Sequence, residues 1–556
     1  MSIFRLTLAV ALLTASWSSS HSAQAQTARA FQELLNRAEA SSRDRQWSDA
    51  AADWSKVVEI NPVVASYWNQ LGIARYNNKD HRGAIQAYQQ AMDLGFMPAI
   101  MAYNVSGCYG ALGDKEQALR WLERSLALGY TRPQRALKNE DLKLLWDEPR
   151  FKTALGADDV SRLSRVEGWR YDLDFFVREL KRMHPNPYRQ ISRDRFDAYV
   201  STLRNDVPKL SDEQVAARMM QLAAYAGDGH TYLRPRFLTE RGEVGIPINY
   251  YSFVEGVFVI AAATKYQDLL GAQVLRVGTH SVDEVITVSA PVFSRDNAMY
   301  LKLDVVTALR SPQLLYGLGL IPDKDRMLLT VRDREGKERT LTVMGEPKGP
   351  MAGVSLLAAT PEPLPISMQP RSGIYWFEYL PKDKVVYFRH NQIRNDEKEP
   401  LLQFCERLFT FINEHDVDKL VIDLSTNEGG DGRLNSPLVQ AVMRNSKINQ
   451  TGKLFVIIGR LTFSAAMDLS IQLERDTKAI FVGEPTGGSL NSIGEMNPVT
   501  LPYSKMAGSI ASMGGGASVD TRTWIAPRLY APPSIAAYLA KRDPALDAIL
   551  AYGRER

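Results

Sequence analysis

Three short apolar runs, each ending in a glycine-bearing turn, constrain this chain most. Leu420-Val421-Ile422 runs into Asp423-Leu-Ser-Thr-Asn427-Glu-Gly429-Gly430. Leu454, Phe455, Val456, Ile457 and Ile458 run through Gly459 into Leu461-Thr462-Phe463-Ser464-Ala465-Ala466. Ala479-Ile480-Phe481-Val482 runs into Gly483-Glu484-Pro485-Thr486-Gly487-Gly488. Runs of this kind, bounded by turn residues, read as buried strands. Three in succession predict a mostly parallel sheet whose turns gather into one crevice at its C-terminal edge. Glycines at those turns let backbone come close to a ligand.

The middle turn carries a serine with an amphipathic run behind it: Ala465, Ala466, Leu469, Ile471 and Leu473 among polar residues. Strand, tight turn with serine, then helix is a geometry that suits a nucleophile. The hydroxyl stands where free N–H groups and the positive end of the helix dipole can hold a developing oxyanion. A serine that opens a helix is also an ordinary N-cap, and the segment alone leaves both readings open.

The chain has 556 residues, with 45% hydrophobic and 23% charged residues, as in a soluble multidomain protein. A net charge of +4 with no basic cluster interleaved with aromatics argues against nucleic acid. Residues 1–25 read as a signal peptide: Arg5, an apolar run from Leu6 to Ala15, and a small-residue cleavage site at Ala23-Gln24-Ala25. The expectation is export to a periplasmic or extracellular space without a stable membrane anchor. The two cysteines, Cys108 and Cys405, fall in different expected domains, and buried free thiols are the default. There is no CxxC pair and no HExxH, so neither metal nor cofactor is expected.

From Phe31 to about Leu155 the pattern is helical and repetitive. Ala50, Ala84 and Ala118 lie 34 residues apart and open the same pattern: Ala50-x3-Trp54-x2-Val57, Ala84-x3-Tyr88-x2-Ala91, Ala118-x3-Leu122-x2-Ser125. With Trp68-x2-Leu71-Gly72, this resembles the tetratricopeptide repeat. Residues 27–156 are therefore expected as an all-α repeat domain, with Asp141 to Phe151 as a closing helix. It would serve either as a docking surface for a protein partner or as a spacer or dimerisation element. Residues 157–235 are expected as a small helical domain that contains His184-Pro-Asn-Pro-Tyr188 and ends in Gly227-Asp228-Gly229-His230-Thr231. Residues 236–345 switch to a β pattern, with an irregular helical insertion near 295–320. Leu269-Leu270-Gly271-Ala272-x-Val274-Leu275-x-Val277-Gly278 resembles the middle of a PDZ-like domain. The proline-rich stretch 346–371 reads as a linker, and 372–556 as an α/β core.

Taken in order, these segments resemble the tricorn and tail-specific (C-terminal-processing) serine peptidase family over roughly residues 165–550. The resemblance implies a crotonase-like α/β peptidase core and a peptide or protein substrate. One branch of that family pairs serine with a lysine in the turn after the next strand; here that turn is Thr486-Gly487-Gly488-Ser489-Leu490-Asn491, without lysine. The tricorn-like branch uses a distant histidine. By resemblance, Ser464 is the nucleophile, His230 its base, and the backbone N–H groups of Gly430 and Ala465 the oxyanion donors. A serine hydroxyl needs a base near neutral pH, and imidazole fits. The resemblance also implies a carboxylate before a late x-Pro motif. Asp520 is the first candidate, with Glu495 and Glu484 behind it. Asn491, Gly487 and Gly488 are expected to line the substrate site, and Met513-Gly514-Gly515-Gly516-Ala517 to form a loop over it. The alternative is a catalytically inactive peptide- or ligand-binding protein on the same scaffold.

Overall fold

The computed structural model describes residues 28–234, 243–347, 353–359, 363–369, 373–514 and 520–553. The expected signal segment lies outside the described residues, as do Gly515 to Ala517 of the expected loop and parts of the expected linker. The chain divides into two compact units, Met1–Asp159 and Val160–Arg556.

The first unit is helical. A helix over 28–43 precedes Trp47–Ile60, Ala65–Asn77, His81–Asp93, Pro98–Ala111 and Lys115–Ala127, and from Trp47 onward each packs on the next. Ala50, Ala84 and Ala118 are fully buried. Gly72 shows why small residues recur: a Cβ there would stand 2.5 Å from the Tyr88 ring. Asp80 and Asp114 cap the helices that follow them, accepting the N–H groups of Gly83 (2.9 Å) and Gln117 (3.1 Å). The expected closing helix is broken in two, a 3-10 segment Glu140–Leu145 and a helix Pro149–Leu155. Pro149 is the cause, because it disfavours helix at the residue before it and suits the first position of a new one. Leu142, Leu145 and Phe151 still bury against Ala118 and Leu122.

The second unit is built on a six-stranded sheet in the order Tyr375–Leu380, Val385–His390, Lys419–Asp423, Leu454–Ile458, Ile480–Gly483, Leu529–Tyr530. The first pair is antiparallel and the rest are parallel. Side chains alternate across it. Val386, Phe388, Leu420, Ile422, Leu454 and Val456 pack with the helices Leu401–Glu414, Ser436–Arg444 and Ala465–Asp476. Val385, Tyr387, Val421, Phe455, Ile457 and Val482 face the helix Pro544–Ala551. Both faces are covered, which is why the runs are continuous in sequence.

Ahead of this sheet, the helices Arg165–Met183, Arg193–Asp206 and Asp212–Ala224 lead into the strand Tyr232–Arg234. That strand pairs with Ala507–Met513, which pairs in turn with Gly494–Thr500, so a sheet ties the His230 segment to the far end of the chain. Between them lies a seven-stranded antiparallel sheet with the helices Val282–Ser289, Leu301–Leu309 and Pro312–Gly317 inserted. The stretch expected as a linker contributes two short strands, Glu346–Pro347 against Val244–Gly245 and Gly353–Ser355 against Gly256–Ala263. Cys108 and Cys405 are buried free thiols. No helix among the described residues is long and apolar enough to cross a membrane.

The Arg165–Met183 helix is fastened to the turn at Tyr503. A Cβ on Gly168 would stand 2.2 Å from the Tyr503 ring. One turn later the buried Asp172 accepts the N–H groups of Tyr503 (2.8 Å) and Ser504 (2.7 Å). Asp172→Ala leaves both donors without an acceptor, at roughly 1–3 kcal/mol each. The expected result is a lower urea midpoint at an unchanged slope; a midpoint equal to wild type would contradict this account.

Candidate active site

Ser464 sits at φ 53°, ψ −128°, and its side chain makes no capping bond to the helix it opens. A residue with a Cβ in such a region costs on the order of 1–3 kcal/mol, and persists only where its surroundings over-determine it. Those surroundings are a net of bonds to the preceding strand turn. The Thr462 hydroxyl donates to the Leu424 carbonyl (2.9 Å) and accepts the Gly459 N–H (3.0 Å), while the Phe463 N–H donates to the Asn427 carbonyl (3.1 Å). The Asn427 amide in turn donates to the His390 carbonyl (2.7 Å) and accepts the Gly429 N–H (2.9 Å).

Gly429 and Gly430 have φ of 101° and 143°. A Cβ on Gly429 would stand 2.7 Å from both Ser464 Cβ and the Ala465 nitrogen, and one on Gly430 would stand 2.1 Å from the Ile393 oxygen. Glycine is what lets this turn lie against the serine. Among the described residues, neither the Gly430 nor the Ala465 N–H donates to a protein acceptor. Two such donors beside a helix N-terminus are the equipment that an oxyanion requires.

His230 is brought to the serine by a turn. Its Nε2 lies 3.0 Å from Ser464 Oγ, and its ring stacks on Phe463 with centroids 4.6 Å apart and planes at 27°. Asp228 shapes the turn from inside: Oδ1 accepts the N–H groups of His230 (2.9 Å) and Thr231 (2.7 Å), and Oδ2 meets His184 Nε2 (2.9 Å). His184 Nδ1 accepts the Asn186 N–H (3.1 Å), so Nε2 is the nitrogen that donates to Asp228. The side chains of both members of that pair are fully buried. His230 Nδ1 is buried and, among the described residues, has no hydrogen-bond partner.

The structure does not place Asp520 on that nitrogen. Its carboxylate is turned to Arg522 (2.7 Å), which also pairs with Glu474 (2.7 Å), and Arg522 holds the Asp520 carboxyl below the usual range. Glu484 is no substitute: it is buried in an ion pair with Arg460 (2.6 Å), with Lys302 at 3.4 Å. Burial works to raise its carboxyl, but Arg460 outweighs this and keeps it below the usual range. Glu495 is exposed, at φ 62°. Asn491 donates to the Asp520 backbone carbonyl. Gly487 and Gly488 pack behind the serine turn: a Cβ on Gly487 would meet the Arg460 oxygen at 1.9 Å, and the Gly488 N–H donates to the Thr462 carbonyl (3.0 Å). Sequence reasoning singled out neither Asp228 nor Asp296, whose Oδ1 accepts the Gly229 N–H (2.8 Å). Asp228 stands inside the motif that pointed to His230, which was its available signal.

No family model matches the sequence, and no curated protein matches it. Among solved structures, the chain is similar to mature CPAF complexed with lactacystin, at 13% identity and a TM-score of 0.48, over 69% of this chain and 97% of that one. It is similar to the photosystem II D1 C-terminal processing protease at 13% identity and a TM-score of 0.32, over 69% and 96%. It is similar to the tricorn protease at 12% identity and a TM-score of 0.33, over 69% of this chain and 36% of that one. These likenesses are of outline only, and the chemistry rests on the residues themselves.

The His184–Asp228 pair yields a direct expectation. His184→Ala leaves the Asp228 carboxylate buried without its side-chain donor, at roughly 1–3 kcal/mol or more. His184→Gln keeps an N–H donor of similar reach and should recover part of that loss. Thermal midpoints of the two variants check this, and equal midpoints would speak against the hydrogen bond as the source.

Proposed function

We propose that this chain is an exported serine hydrolase, most plainly a peptidase, in which Ser464 is the nucleophile and His230 its general base. The observation that carries the reading is the serine in strained backbone with its Oγ 3.0 Å from a buried imidazole nitrogen. His230 Nε2 takes the hydroxyl proton as Ser464 Oγ bonds to the carbonyl carbon. The oxygen that becomes negative is met by the N–H groups of Gly430 and Ala465. Collapse of that intermediate expels the amine, which leaves with the proton from His230. Water then repeats the sequence on the acyl-enzyme, releasing the acid and restoring Ser464. No step uses a metal or cofactor. On the sequence resemblance alone, the 236–345 region is assigned to a PDZ-like module, and the repeat-like first unit to either a partner-docking surface or a spacer.

One observation favours a second reading, a binding protein on the same scaffold: His230 Nδ1 has no acceptor among the described residues, whereas triad enzymes orient the base through that nitrogen. A fluorophosphonate probe separates the two. The hydrolase reading expects attachment at Ser464 in the native state, and loss of turnover by several powers of ten in Ser464→Ala. A native wild type that takes no label and turns over no peptide, while still binding one, would establish the second reading.

Stability gives an independent check. In a His230→Ala background, where the hydroxyl has no imidazole contact to lose, Ser464→Gly relieves the positive φ and removes no capping bond, so the double variant should be more stable than His230→Ala alone by about 1 kcal/mol and inactive. Were the serine an ordinary N-cap, replacement by glycine would lose a few tenths of a kcal/mol instead. Paired denaturation curves read the sign.

A further inference from the structure

The segment 294–300 joins the His230 turn to the glycine turn behind Ser464 by side-chain bonds that neither turn makes for itself. Asp296 Oδ1 accepts the Gly229 N–H (2.8 Å) and its Oδ2 accepts the Ser489 N–H (3.1 Å). The next residue, the buried Asn297, donates its amide to the carbonyls of Thr486 (3.1 Å), Gly488 (3.2 Å) and Thr523 (2.8 Å). The glycine turn is itself tied to the serine turn through the Gly488 N–H and the Thr462 carbonyl (3.0 Å).

These bonds close a ring. From Ser464 the chain runs back to Thr462, across to Gly488, on to Ser489, across Asp296 to Gly229, and forward to His230. The 3.0 Å contact between His230 Nε2 and Ser464 Oγ completes it. Every other link is a backbone bond or a hydrogen bond to backbone, so the ring has little freedom to stretch. Gly229 also has to be glycine: a Cβ there would stand 2.6 Å from the Phe463 ring that stacks on the imidazole. Among the described residues His230 Nδ1 has no acceptor, so no hydrogen bond at that nitrogen performs this task.

We infer that Asp296 is a positioning residue for His230, setting through Gly229 and Ser489 the separation of imidazole and hydroxyl, with Asn297 as its anchor on the glycine turn. The inference rests on the Ser464–His230 reading above. Asp296 touches neither substrate nor reacting atom, and its effect is on the geometry of the pair. Displacements of the order of 1 Å at such a pair can cost about 100-fold in rate.

The test compares full-length wild type with Asp296→Asn, which keeps the size of the side chain but turns an NH2 toward one of two N–H donors. The 15N ring signals of His230, assigned with His230→Ala, are expected to shift or broaden as the imidazole loses its single placement. Fluorophosphonate labelling of Ser464 should slow by at least about tenfold, with kcat falling and KM held, the split expected when only transition-state geometry is lost. Ring signals identical to wild type would overturn the assignment. A wild type that takes no label would defeat the Ser464 reading instead, and the ring signals would still decide the role of Asp296. Should Asp296→Asn fail to fold, Asn297→Ala decides: moved His230 signals support the strut, and unmoved signals overturn it.

Discussion

The contact between Ser464 Oγ and His230 Nε2 joins residues 234 positions apart, and the second unit depends on how that span is closed. No local propensity can make it. Loop-closure entropy grows only slowly with length, so the long span itself costs little more than a shorter one. What matters is that each residue is presented by something rigid. Ser464 stands between a strand buried on both faces and a helix packed on the same sheet. His230 stands between the Gly227–Asp228 turn and a strand paired with Ala507–Met513. The Thr231 hydroxyl adds one more link, accepting the Ala511 N–H (3.0 Å).

Rigidity is also what holds strain. Ser464, with its positive φ, is kept by the bonds of Thr462 and Phe463 to the neighbouring turn, and that turn can approach only because Gly429 and Gly430 lack side chains. The two features imply each other. A serine in relaxed backbone would not aim its hydroxyl at His230 from this turn, and a turn with side chains would push against Ser464 Cβ. The stabilising terms are spread over the sheet core, where the buried side chains of Leu420, Ile422, Val456 and Ile458 each contribute about 1.5–3 kcal/mol, so a local cost at one residue is carried without loss of the fold.

What was legible in the sequence follows from the same physics. Strands covered on both faces leave continuous apolar runs, so the three runs and their glycine turns are legible, and with them the place of Ser464 between strand and helix; the roles of Gly430 and Ala465 come from the family resemblance alone. The Gly-Asp-Gly turn shows that His230 is placed by backbone, while its pairing with Ser464 comes only from the family resemblance. Asp296 and Asn297 were not legible, since an isolated Asp-Asn in an irregular stretch carries no period, and its partners at Gly229, Thr486, Ser489 and Thr523 are remote in sequence. Asp520 stands at the place before a proline where the resemblance expects a carboxylate, but spacing does not reveal that Arg522, two residues on, claims it. The strands at Glu346 and Gly353 were hidden by prolines, which suit short edge strands as well as linkers.

Among the described residues His230 Nδ1 has no partner, which bears on how the imidazole that takes the Ser464 proton in the proposed step is oriented. Two carboxylates stand by the His230 turn. Asp228 is occupied by His184 and two backbone N–H groups. Burial holds the Asp296 carboxyl above its usual range, against the Gly229 and Ser489 N–H groups that draw it down. A triad acid does two things at once, orienting the ring and stabilising its charge through a single hydrogen bond. In the Ser464–His230 reading the orienting task falls instead to the turn bonds of Asp228 and Asp296 and to the stacked Phe463 ring.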